Sequence, residues 1–183
     1  MNRLTAGQID FIEAQAMFIV ATAAAEGQVN VSPKGMDTLR VLDQNRVVWL
    51  NLTGSGNETA AHVAASNRMT LMFMSIGPKP LILRLYGTAR AIHPRDAEWD
   101  ELIALFPTLG GSRQIFDLSI EQTATSCGSG VPIMRVESIR GDTELEPFYA
   151  AMTEQELHDY WERKNTASVD GYPTRIFADA PQA

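Results

Sequence analysis

Strand-like stretches follow one another in this chain with too little sequence between them for helical crossovers. Segments 17–25 and 28–32 flank Glu26-Gly27, segments 38–42 and 46–52 flank Asp43-Gln44-Asn45, and segments 69–75 and 81–92 flank Gly77-Pro78-Lys79-Pro80. Antiparallel partners close through turns this short, whereas parallel partners need about a dozen or more connecting residues. Hairpins therefore predominate, and a small closed or split barrel is expected in place of a doubly wound parallel sheet. Over 81–92, Leu81, Leu83 and Leu85 alternate with Ile82, Arg84 and Tyr86, the period of a strand with two unlike faces.

Few helices surround those six segments. Thr5-Ala6-Gly7-Gln8 has capping-box spacing ahead of Ile9, Phe11, Ile12 and Ala16. A second helix is predicted over 57–67 and a third over 94–106, with Trp99, Leu102, Ile103 and Phe106 along one side. Thr153 and Glu156 form another capping box at the start of a helix over 153–164. Two further strand-like runs, 116–125 and 131–138, bracket Ser126-Cys127-Gly128-Ser129-Gly130. The expected architecture is mainly β (α+β): one domain over residues 1–183, with a helical extension from about 140 to the end.

Composition narrows the function classes. A formal net charge of −7 argues against nonspecific binding to nucleic acid or to anionic membranes, which need a basic field. The apolar run 16–25 is too short to span a bilayer and follows Asp10 and Glu13, not a cationic leader. A single cysteine, Cys127, excludes an intrachain disulfide and a cysteine-built metal cage, and suits a reducing cytoplasm.

The stretch richest in chemical signal is Val47-Val48-Trp49-Leu50-Asn51-Leu52-Thr53-Gly54-Ser55-Gly56-Asn57-Glu58-Thr59. A strand that stops at a glycine turn and restarts as a helix leaves backbone N–H groups free at the helix start, where small side chains admit an anion. The third glycine of a dinucleotide fingerprint is missing, segment 69–74 ends at Ser75 with no ribose-binding acid, and no Walker lysine follows. Two readings stay open: a phosphate seat, or an ordinary turn in which Ser55 or Asn57 caps the helix.

Six motifs together resemble the pyridoxamine 5′-phosphate oxidase-like flavoproteins across nearly the whole chain. They are Ser32-Pro33-Lys34-Gly35, Leu39-Arg40-Val41-Leu42, the 49–59 stretch, Asn67-Arg68-Met69-Thr70-Leu71-Met72-Phe73, Leu83-Arg84-Leu85-Tyr86-Gly87 and Ser126-Cys127-Gly128-Ser129-Gly130-Val131-Pro132. The resemblance implies a six-stranded antiparallel split β-barrel with short peripheral helices. It also implies FMN as cofactor, held at a homodimer interface and acting on a small organic substrate. Carried over residue by residue, it makes Lys34 and Arg40 the phosphate cations and Thr53, Ser55, Gly56, Asn57 and Thr59 the turn contacts.

The resemblance has departures. Glu58 and Thr59 stand about where those oxidases place a basic pair, Ile82 stands where they place a glutamine, and their C-terminal Trp and Arg motif has no clear counterpart. These leave oxidation of pyridoxamine phosphate open and keep a second class in play, a non-catalytic protein of the same fold that binds flavin, deazaflavin or haem. The catalytic residues are unknown at this level.

Arg84 and Arg90 share one strand face and are expected to pair with acids, as across a dimer seam. His62 lies near the presumed phosphate end, where a lone histidine is more often a packing residue. His93 and His158 have no ligand spacing, so no metal site is expected. Cys127 borders the pocket or simply packs.

Overall fold

The computed structural model describes residues 3–177. Seven strands form one antiparallel sheet: β1 (Phe18–Thr22), β2 (Asn30–Lys34), β3 (Leu39–Asp43), β4 (Arg46–Leu52), β5 (Arg68–Met74), β6 (Ile82–Ile92) and β7 (Ser112–Ser126). Their order is β2-β1-β5-β6-β7-β4-β3. Among the described residues no ladder joins β2 to β3, so the curled sheet is split along that seam. The chain crosses the seam through Met36 and Asp37, both left-handed at φ 65° and 56°. Neither is a glycine, and backbone of this kind persists only where the surroundings hold it.

Both faces of the central strands are buried. Inside the curl, Val47, Trp49, Phe116, Leu118 and Leu85 pack with Phe18 and Phe73. Trp49 stacks on Phe116 at 4.7 Å between ring centres and meets Phe18 edge-on at 6.0 Å. On the other face Val48, Leu50, Ile92 and Ile115 form a second cluster with Leu102 and Phe106. The helix α3 (Trp99–Ile103) contributes to that cover. Each fully buried side chain of this size stabilises the fold by roughly 1.5–3 kcal/mol. Gly87 sits at a bulge where a Cβ would lie 1.9 Å from the Ser119 carbonyl oxygen, so the close approach of β6 to β7 depends on its missing side chain.

The remaining helices are α1 (Ala6–Glu13), α2 (Glu58–Ser66), α4 (Glu146–Ala150) and α5 (Glu154–Lys164), with a π-helical turn at Gly141–Leu145. Both predicted capping boxes are present, at Thr5 with Gln8 and at Thr153 with Glu156. Among the described residues no helix is long and apolar enough to cross a membrane.

The sequence expectations need four corrections. The sheet has seven strands, not six, because the 116–125 run is the core of β7, a 15-residue strand paired with both β6 and β4. Segment 131–138 joins no ladder, its Met134 N–H donating singly to the Ile76 carbonyl at 2.9 Å, and Ile133, Met134 and Val136 are left exposed, so it is not a strand. The Glu26-Gly27 hairpin is wider than a tight turn: β1 and β2 end their pairing at Thr22 and Asn30, and Gly27 takes a positive φ beside Asp170. The helix over 94–106 contracts to Trp99–Ile103, because Asp96 accepts from the His93 N–H and ties 93–96 into a turn.

Candidate functional site

A cleft of about 900 Å³ opens at the split, between the ends of β2 and β4 and the segment 138–148. Lys34 and Arg113 line it together, Arg140 and Glu144 add one charge of each sign from the 138–148 side, and Met17, Leu52, Leu145 and Phe148 give it apolar wall. A smaller recess shares Lys34, Asn51, Gly56 and Arg113 with the cleft and adds Ser32, Asn57, Glu58 and Thr59.

Lys34 is the last residue of β2, and its ammonium lies 5.5 Å from the centre of the Trp49 ring. Burial, with Arg113 nearby, lowers its pKa to about 8, against an opposing pull from Glu58. Arg113 is the second residue of β7 and is 3% exposed. Its guanidinium donates to the Gly54 carbonyl at 3.2 Å, the Gly56 carbonyl at 2.9 Å and Asn57 Oδ1 at 3.5 Å. No carboxylate lies within salt-bridge distance of Lys34 or Arg113 among the described residues, and Arg113 Nε has no partner at all. Burial alone pulls the Arg113 pKa down to about 10. Two cations with no carboxylate in salt-bridge contact, and Glu58 as the one acid sharing their recess, leave a field for an anion.

The turn between β4 and α2 is held from behind. Thr53 donates through both its N–H and its hydroxyl to the Gly111 carbonyl, each at 2.7 Å, and its hydroxyl accepts from Trp161 Nε1 at 2.9 Å. Asn57 donates to the carbonyls of Ser55, Lys164 and Ala167, and Asn165 reaches back to Asn57 Oδ1 and the Gly54 carbonyl. The α5 end of the chain thus staples the turn in place.

Of the sequence-derived candidates, Lys34, Thr53 and Gly56 line the cleft, and Asn57 and Thr59 join them around the recess. Thr53 and Asn57 spend their side chains on the staple. Ser55 is exposed with no side-chain hydrogen bond among the described residues, and Asn57 does not cap the helix with its side chain. Arg40 is not brought to this place. Its guanidinium is taken by the Asp37 carboxylate at 2.7 and 3.0 Å and the Leu105 carbonyl at 2.9 Å, and it lies over the Phe106 ring.

Neither His62, Arg84 nor Cys127 lines the cleft. His62 is fully buried, with Nδ1 3.1 Å from Thr22 Oγ1. Asn30 links that pair to Thr59 and to Ser32. Arg84 reaches Ser126, while Arg90 pairs with Asp117 and Glu98 of its own chain. Cys127 is exposed, and hydrogen bonds from Ser129 hold its thiol below the usual range. His158, Asp159 and Glu162 are the one group among the described residues able to share a metal ion; all three are exposed and none lines the cleft.

The residue missed in the sequence is Arg113. The signal was available: an arginine entering the apolar run Ile115-Phe116 just after Gly110-Gly111 must be buried and needs oxygen partners, the reasoning applied to Arg40.

The seven-stranded split barrel, with its cleft at the seam, defines a class with many solved members. A candidate pyridoxamine 5′-phosphate oxidase of Lactobacillus delbrueckii superposes with a TM-score of 0.55 at 23% identity, covering 68% of this chain and 95% of its own. HupZ of Group A Streptococcus gives 0.53 at 21% identity, covering 70% and 98%. Residues 5–127 match the family model for pyridoxamine 5′-phosphate oxidase. A pyridoxamine 5′-phosphate oxidase family protein of Aspergillus flavus, ustO, is 32% identical over 181 residues, spanning 90% of this chain and 72% of that one. The chain belongs to the pyridoxamine 5′-phosphate oxidase family. Its stapling segment, 141–170, lies beyond the stretch matched by the family model.

Proposed function

We propose that the protein is an FMN-dependent oxidoreductase acting on a small organic substrate. The observation that carries this reading is the Lys34–Arg113 pair: two cations, one with a buried unpartnered N–H, in a cleft large enough for a flavin. Lys34 and Arg113 would hold the phosphate, the latter from beneath the 54–56 turn, with the Thr59 and Ser32 hydroxyls near it in the recess. Met17, Leu52, Leu145 and Phe148 would pack on the ring and keep water from it. When bound, FMN supplies the hydride or electron transfer; the protein binds, orients and shields it.

Family membership supports a role of this type, and the departures at Glu58 and Ile82 leave the substrate open. The second reading, a non-catalytic carrier of the same fold, divides by ligand. Among the described residues the cleft lining holds no histidine, cysteine or tyrosine, so Met17 and Met36 are the side chains there that could ligate a haem, and the spectrum separates haem from flavin or deazaflavin. We further propose a homodimer with the cofactor at its interface, supported by the exposed apolar residues Ile133, Met134, Val136 and Phe148 on and beside the cleft wall. A reducing, cytoplasmic setting fits the lone, exposed Cys127.

An absorption spectrum of the purified protein tests the reading, followed by anaerobic reduction and reoxidation of the bound chromophore with candidate substrates. A flavin spectrum that bleaches with a substrate supports the oxidoreductase; a flavin or deazaflavin that no reductant reaches supports the carrier. No chromophore and no uptake of added FMN would refute the FMN oxidoreductase, and no uptake of added deazaflavin or haem either would refute the carrier.

A further inference from the structure

One acid stands at the anion seat. The Glu58 carboxylate accepts from the Asn57 N–H at 2.9 Å, on the helix-start donors where a bound phosphate would benefit most, and its other oxygen accepts from the Val169 N–H at 3.4 Å. Glu58 lines the recess with Lys34 and Arg113 and is the carboxylate whose charge acts on both. α2 has nine residues, long enough for its first turn to present a field, and Arg113, 3% exposed with Nε unpartnered, independently marks the place as built for an anion.

We propose that Glu58 is a built-in competitor for the anionic group of the ligand: its carboxylate occupies the seat, and the phosphate of the ligand binds by displacing it. The proposal rests on reading the Lys34–Arg113 pair as a phosphate seat. It assigns Glu58 a role in specificity as well as in helix capping. A ligand must carry enough negative charge to outcompete an attached carboxylate, so a phosphomonoester enters the recess while neutral analogues and weak monoanions do not. Displacement also breaks the Glu58 tie to Val169, which couples ligand binding to the 165–170 end of the staple. A purely structural cap predicts the reverse pattern, because removing it would weaken the seat along with the helix.

The test is calorimetric titration of the full chain with FMN and with riboflavin, in the wild type, Glu58→Gln and Glu58→Ala, with melting curves confirming that each is folded. Glu58→Gln keeps the shape and the hydrogen bond and removes the charge, so it reports even if Glu58→Ala proves unstable. The proposal predicts that FMN binds roughly tenfold more tightly to the variants, with riboflavin affinity unchanged within about twofold, in spite of a small loss of thermal stability. Wild type binding FMN as tightly as the variants or more so, or FMN and riboflavin tightening together, would overturn the role of Glu58 and leave the phosphate seat standing. Failure of all three folded proteins to bind FMN would overturn both.

Discussion

Lys34 reaches the cleft with its pKa held near 8, chiefly by burial and secondly by Arg113. Between about pH 8 and its ordinary value of 10.5, the folded protein binds fewer protons here than the unfolded chain. The cost of charging Lys34 is therefore fully present below pH 8 and is relieved as pH rises through that window. Ligand binding runs the other way, since an anion needs the charged form: FMN affinity should fall above pH 8, by up to about tenfold per unit. Titrations from pH 7 to 10 check this, and Lys34→Met should bind weakly and lose the dependence; a flat wild-type profile would show that Lys34 does not face the ligand. Arg113 has a structural duty too, because it satisfies the Gly54 and Gly56 carbonyls. Arg113→Met should lower unfolding stability by about 1–3 kcal/mol, read by urea denaturation, as well as removing FMN binding.

At the scale of elements, legibility in the sequence followed the range of the interactions. The capping boxes at Thr5 and Thr153 are complete within four residues of chain, and both were readable. Thr153→Ala should cost about 1 kcal/mol, seen as a lowered melting temperature, through fraying of α5. Segment 131–138 reads as a strand because Val131, Ile133 and Val136 are β formers, yet strand identity needs a partner strand and this chain supplies none there. The strand-turn-helix at 46–66 was legible as a candidate anion site; what faces it was not. Arg113 arrives from 59 residues beyond the Gly54 carbonyl it bonds, and Asn165 from 111 beyond, distances that no local pattern encodes. Arg40 illustrates the converse: a cation in an apolar strand did have an anionic partner, but it was Asp37, three residues away. The stapling segment should be energetically coupled to the site. Asn165→Ala is expected to weaken FMN binding several-fold and to speed amide exchange over the 53–58 turn, whereas unchanged exchange would show that the turn holds its shape unaided.

For the whole molecule, the antiparallel barrel and the family were readable from hairpin spacing and scattered motifs, because sheet topology follows from how little chain separates the strands. The homodimer was expected from the family resemblance alone, since an interface has no period. The exposed apolar run at Ile133, Met134 and Val136 leads to the expectation that the protein sediments at twice its 20.1 kDa chain mass, and that Ile133→Asp with Val136→Asp yields a monomer with weakened flavin binding. A wild-type monomer would remove the interface from the account. The central claim is that the Lys34–Arg113 pair in the cleft seats the phosphate of a flavin, and comparing FMN with riboflavin on the apoprotein at pH 7.5 tests it most directly. Charge-assisted contacts from two cations are worth about 1.5–3 kcal/mol each, so FMN should bind at least roughly a hundredfold more tightly than riboflavin. Equal affinity for the two, or binding of neither, would contradict it.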